Sequence, residues 1–146
     1  MGIRVRVKIR FLPTGRVVET VALVNSGAES ERPSVIVSEI EARHLGIESP
    51  EAYGAALYLV EEATARSFAY VIREGAVLEL LGEEGEVLSS VAADLAVQPG
   101  VAEPLLTDAA IDELGIQPVS FSKGLWRHVN DPPGKVRSSA QRLRGP

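Results

Sequence analysis

The residues best placed for chemistry lie in Ala22-Leu-Val-Asn-Ser-Gly-Ala-Glu29, where an apolar run gives way to a small polar turn. Gly27 frees the backbone to bend sharply there, which exposes the polar groups beside it. Asn25 brings a carboxamide, Ser26 a hydroxyl and Glu29 a carboxylate. A carboxamide donates and accepts hydrogen bonds but has no proton that titrates in the working range. Asn25 can therefore hydrogen-bond to a water or to a second amide, yet it cannot act as a general base. A second apolar pair followed by a polar turn, Leu105-Leu106-Thr107-Asp108, comes late in the chain. Asp108 and Asp112 fall at the start of a predicted helix, where negative charge is favoured, so helix capping is the role expected of Asp108.

Other chemistries are excluded by what is missing. Cysteine is absent, which removes disulfides, thiolate catalysis and Cys-type zinc sites. His44 and His128 are the only histidines and lie far apart in the chain, so no metal site is expected. Gly15, Gly27 and Gly46 are isolated, with no Gly-rich Lys-Ser/Thr run to cradle a phosphate, and no cofactor is implied. The net charge of −5 argues against a nucleic-acid partner. No apolar run approaches the roughly 20 residues that span a bilayer, and the alternating start at Met1 is unlike a signal peptide. A soluble cytoplasmic protein without a membrane partner is expected.

The 146 residues, 45% hydrophobic and 24% charged, are enough for one domain with a real core. Ile3, Val5, Val7, Ile9 and Phe11 alternate with Arg4, Arg6, Lys8 and Arg10, the clearest strand pattern in the chain. The four cations are expected to meet water or acidic neighbours across the sheet. Pro13-Thr-Gly-Arg16 is a turn, and Val17 to Val24 returns as the second strand of a hairpin. Val35 to Val37 is a short strand, and Ser38-Glu-Ile-Glu41 is a capping box that opens a helix ending at Gly46. Strands are predicted at about Ala56–Val60, Ser67–Arg73, Ala76–Leu81, Glu86–Val91 and Asp94–Val97. A second helix covers about Asp108–Leu114, and Val119–Phe121 and Leu125–Val129 complete the sheet. Trp126 is expected in the core or an interface. Leu23-Val24 before the first polar turn and Leu105-Leu106 before the second, each followed by a helix closed by Leu-Gly-Ile, suggest two pseudo-two-fold halves. Residues 1–131 form the expected domain; residues 132–146 carry Lys135, Arg137, Arg142 and Arg144 after a Pro-Pro-Gly breaker and read as a basic, poorly packed, flexible tail.

The Ala22–Glu29 stretch resembles the active-site loop of retropepsin-like aspartic proteases: two apolar residues, Asp, Thr or Ser, Gly and Ala, then an acidic or polar residue. Leu105-Leu106-Thr107-Asp108-Ala109 lies where that family has another apolar pair, Gly, a variable residue, Asp or Asn, and a short helix. The order of elements agrees over about Ile3 to Val129. The resemblance implies a mostly β fold, a closed β barrel with two short helices, and a homodimer whose cleft binds extended peptide or protein segments. It places Asn25 at the position of the catalytic Asp, with Ser26 tying the two loops together across the dimer and Gly27 completing the motif. Ala28 and Glu29 would contact the bound peptide. Glu61, Glu62, Ala63 and Thr64 would form the flap tip, without the glycines usual there.

Two departures govern the functional expectation. The family's paired carboxyls share one proton, so that one is a base while the other is an acid. Two Asn25 amides cannot do this, and the chain as written should be a very poor peptidase or none. The second motif also lacks its Gly and Arg. A naturally inactive homologue that keeps a binding cleft is the leading reading. The alternatives are an active endopeptidase carrying an inactivating substitution, another acid or deamidated Asn25 supplying the chemistry, and a plain turn in an unrelated β domain. A structural or assembly domain using its edge strands and basic tail on an acidic partner is a further alternative.

Overall fold

The computed structural model describes residues 2–25, 27–61 and 66–142, without the side chain of Glu61. Its first strands are β1 (Arg4–Phe11), β2 (Val17–Val24) and β3 (Ser34–Val37), followed by α1 (Glu39–His44). A 3-10 turn (Pro50–Tyr53) leads into β4 (Ala56–Glu61), β5 (Arg66–Leu81) and β6 (Val87–Val97). The last elements are β7 (Leu105–Leu106), α2 (Asp108–Leu114), β8 (Ile116–Ser120), β9 (Leu125–His128) and β10 (Arg137–Ser138). The chain is mostly β. Seven strands run in the order β1-β2-β7-β3-β6-β5-β4, and a β1–β5 pairing brings six of them into a ring with β4 as an outer edge. Strands β10, β9 and β8 form a separate small sheet. None of the helices among the described residues is long and apolar enough to cross a membrane.

The alternation in β1 places Ile3, Val5, Val7, Ile9 and Phe11 inside the ring, each almost fully buried. Each such burial contributes about 1.5–3 kcal/mol, which fixes the register because a one-residue slip would turn the Arg face inward. The cations meet acids: Arg4 binds Glu103 through two guanidinium nitrogens at 2.7 and 3.1 Å, and Arg6 reaches Glu19 at 2.6 Å. Lys8 stands opposite Glu19 on β2 and Glu79 on β5. Ser38 caps α1 as its sequence predicts, with Glu41 closing the box on the Ser38 N–H at 3.0 Å.

Strands predicted as broken pairs are continuous. The gap expected at Glu74-Gly75 is a bulge in β5, where Glu74 adopts φ 52° and the pairing with β6 shifts between Ile72 and Ala76. The carboxylate of Asp94 on β6 accepts the freed Glu74 N–H at 2.8 Å and also pairs with Arg32, so that N–H keeps a partner through the bulge. Residues Ala92 and Ala93 likewise lie within β6 rather than between two strands. Helix α1 follows β3, as the sequence predicts, and the two apolar pairs Leu23-Val24 and Leu105-Leu106 lie beside each other in parallel register. The strand expected at Val119–Phe121 starts earlier, at Ile116.

The segment after Pro132 is not a loosely packed tail over its described part. Arg137 is buried, donates to both carboxylate oxygens of Asp131 at 2.8 and 2.7 Å, and lies over the Trp126 ring at 5.6 Å. Strand β10 pairs with β9, Ser139 N–H donates to Gly124 at 2.7 Å, and Ala140 N–H donates to Arg4 at 2.8 Å. Composition signals a solvated terminus because it counts cations and apolar residues. It cannot see one Arg buried with its own Asp on an indole face.

The Arg137 guanidinium holds the Asp131 carboxyl far below the usual carboxylate range. That depression stabilises the fold above about pH 4, where unfolded Asp is ionised, and the stabilisation drains away as acid protonates Asp131. Asp131→Asn should lower stability by about 3 kcal/mol at neutral pH by leaving Arg137 buried without its anion. Its denaturant midpoint should also fall less steeply in acid than that of the unaltered chain. Equal midpoints at neutral pH would contradict the packing of this segment.

Candidate functional site

Strand β7 inserts between β2 and β3, parallel to the first and antiparallel to the second. Because β2 and β7 are parallel, Val24 and Leu106 lie side by side and the polar turns after them leave the sheet at the same end. The 25–33 loop must then pass over the start of α2 to reach β3. It is stitched there by backbone and side-chain bonds. Asp108 N–H donates to Ala28 O at 2.8 Å, and Thr107 N–H to Ser34 O at 3.2 Å.

Thr107, rather than Asp108, stands at the N-cap position of α2, and its hydroxyl is turned away from the helix. This buried oxygen accepts from Ser34 N–H at 3.1 Å and lies 2.7 Å from the Ser30 hydroxyl. Asp108 accepts from Ser30 N–H at 2.9 Å and from its neighbour Ala109 N–H at 2.7 Å. Asp108 is thus not the N-cap residue itself, but its carboxylate takes the Ala109 N–H of the first turn and also ties the 25–33 loop to the helix start. Sequence reasoning passed over Thr107, whose signal was only a hydroxyl residue directly before a predicted helix, and Ser30, which carried no local signal.

Asn25 sits at the head of this loop in a tight turn. Its Oδ1 accepts from Gly27 N–H at 3.1 Å and its carbonyl from Ala28 N–H at 3.0 Å. Such a turn suits Asn and Asp, whose side chains bond to the backbone two residues on. A backbone N–H needs an oxygen, so this bond also orients the amide, with the NH2 group on the other side. Asn25, Gly27, Ala28 and Glu29 line one wall of a cleft of about 520 Å³. Tyr58 and Val60 from β4 line it as well, with Ala69 and Val71 from β5. Ala96 and Gln98 contribute from the end of β6, and Ile36 and Leu105 from the two strands flanking the loop. Gln98 donates through its side-chain nitrogen to the Ser67 hydroxyl at 3.0 Å.

The cleft is thus apolar on most of its surface, and Glu29 is its only charged lining residue among those described. Arg73 interacts with the Tyr58 hydroxyl at its rim, a contact that raises the guanidinium pKa. Of the residues singled out in the sequence, Asn25, Gly27, Ala28 and Glu29 come together here. Ser26, Glu62, Ala63 and Thr64 lie outside the described residues. Glu61 ends β4 opposite Arg66, so β4 and β5 pair antiparallel along their length, and both line the cleft. His128 is elsewhere, buried, with Nε2 3.0 Å from Leu114 O and Nδ1 accepting from Asn130 N–H. No group of three or more His, Asp or Glu among the described residues could hold a metal ion.

Thr107→Val keeps shape but leaves the buried Ser34 N–H without its acceptor, which should cost about 1–3 kcal/mol in urea unfolding. Thr107→Ser should restore most of that loss, and an unchanged Thr107→Val midpoint would show that the hydroxyl does not hold the loop. Comparison with protein-family models gives no match for this chain, and comparison with curated proteins gives none either.

Proposed function

We propose that the chain is a retropepsin-like module that binds extended peptide or protein segments without hydrolysing them, in a cleft completed by a second copy. The observation that carries this reading is Asn25 at the cleft wall, its Oδ1 committed to Gly27 N–H. Water activation at that point needs a group that takes a proton and gives it back. An amide does neither, and Glu29 is the only ionisable acid among the described lining residues. What remains suits binding: apolar walls for side chains, a hairpin on one side, and a polar loop on the other. Extended peptides are held in such places by main-chain hydrogen bonds, with alternate side chains taken by pockets. The order of hairpin, polar turn, second hairpin and second turn with helix supports the same ancestry.

The disabled-endopeptidase reading has one observation in its favour. An aspartate at position 25 would accept the same Gly27 N–H, so the turn is already shaped for an acid. Both readings are tested by incubating the chain and its Asn25→Asp variant with an unfolded polypeptide between acid and neutral pH. The unaltered chain should bind saturably and cut nothing. Cleavage by the Asn25→Asp variant alone would favour the disabled endopeptidase, and cleavage by the unaltered chain, with Asn25 intact by peptide mapping, would overturn the amide argument. Binding by neither form would leave a structural or assembly role. Sedimentation should give a dimer at micromolar concentration; a monomer would overturn the two-copy cleft.

A further inference from the structure

We propose that the outer edge of β4 is where two copies of the chain meet, the two β4 strands pairing antiparallel about Tyr58. This rests on the two-copy reading of the cleft and adds to it the seam and its register. Among the described residues β4 pairs with β5 alone, and its backbone bonds to no other segment. Its far side therefore presents a row of N–H and C=O groups that another strand can take up. Natural edges of this kind are blunted by a charge, a proline or a bulge. Ala56 to Val60 contains no charged residue and no proline, and the β4–β5 register runs without a shift. Leu57, Tyr58 and Leu59 are 55%, 45% and 51% exposed, and Phe68, which stands beside Leu59 on β5, is 52% exposed.

The order of the side chains selects the partner. Ala56-Leu-Tyr-Leu-Val60 has the same kind of residue at equal distances on either side of Tyr58. A two-fold axis through the centre of an antiparallel pair sets such positions opposite each other, so this edge is complementary to itself. Tyr58 and Val60 line the cleft, and alternation turns Leu57 and Leu59 to the opposite face. Centred on Tyr58, Leu57 lies opposite the partner's Leu59, and Ala56 lies opposite the partner's Val60. The two Tyr58 side chains then meet on the cleft face, and each contact is apolar against apolar or ring against ring. A register centred on Leu59 would instead set Leu57 opposite the partner's Glu61, the one charged residue of β4. The seam is also continuous with the cleft, because Tyr58 and Val60 belong to both.

Disulfide trapping and sedimentation of the full chain test this. The chain has no cysteine, so an introduced cysteine reports on its own position alone. Under mild oxidation Tyr58→Cys should trap a covalent dimer, because the two thiols face each other directly. Leu59→Cys should trap about tenfold less, since its two copies are diagonal, whereas mixing Leu57→Cys with Leu59→Cys chains should recover the dimer. Leu59→Lys, at an exposed position outside the core, should weaken association at least about tenfold without changing the circular dichroism spectrum. A dimer that ignores Leu59→Lys and does not trap through Tyr58→Cys would overturn this seam and leave the two-copy reading standing. More trapping by Leu59→Cys than by Tyr58→Cys would overturn the register, and a monomer at micromolar concentration would overturn the seam and the two-copy reading together. Hydrogen-exchange protection of the β4 amides that appears only when a hexapeptide of Leu, Val and Ala, capped at both ends, is added would give the edge to a peptide strand and overturn a second copy as its occupant.

Discussion

The parallel contact between Leu23-Val24 and Leu105-Leu106 is the constraint on which the site depends. It is only two residues long on the β7 side, and it forces β7 between strands that the chain visits much earlier. With β7 in that slot, the polar turn after Val24 has to cross the start of α2. The Thr107 hydroxyl and the Asp108 carboxylate are then at the right height to receive the N–H groups of Ser34 and Ser30. The described part of the 25–33 loop gains in this way the fixed geometry that a functional site needs, because Ala28 and Ser30 are bonded through their backbone to the start of α2.

The chemistry follows from what that loop presents. Its leading side chain is an amide already spent on one face and open on the other. The same turn would accommodate a carboxylate, and under the proposed function the step from binding a peptide to activating a water is a change at this one side chain. The surrounding walls need not change for either role, since Ala69, Val71 and Ala96 supply apolar surface whichever group stands at position 25.

Local patterns in the chain are those that were legible before the structure. The alternation in β1 fixes its face, the Ser38–Glu41 box fixes the start of α1, and Gly115, with φ 77°, closes α2 where an added Cβ would meet Val129 at 2.6 Å. The turn at Asn25 was legible for the same reason, as an apolar run breaking into small polar residues. Features settled by distant partners were not. Glu74 looks like a strand end until Asp94, twenty residues later, accepts its N–H and lets β5 continue. Arg137 looks like part of a solvated basic tail until Asp131 and Trp126 enclose it. Asp108 looks like a helix cap because the Ser30 N–H it binds lies 78 positions away. In each case one polar group finds its complement across the fold, and no window along the chain contains both.

The most direct measurement is a crystal structure of the chain grown with an N-acetylated, C-amidated hexapeptide of Leu, Val and Ala. This account predicts an intact, extended peptide lying between the 25–30 loop and strands β4 and β5, with two copies of the chain enclosing it. A peptide seated elsewhere, or an Asn25 side chain turned to an outer corner away from any bound chain, would contradict it.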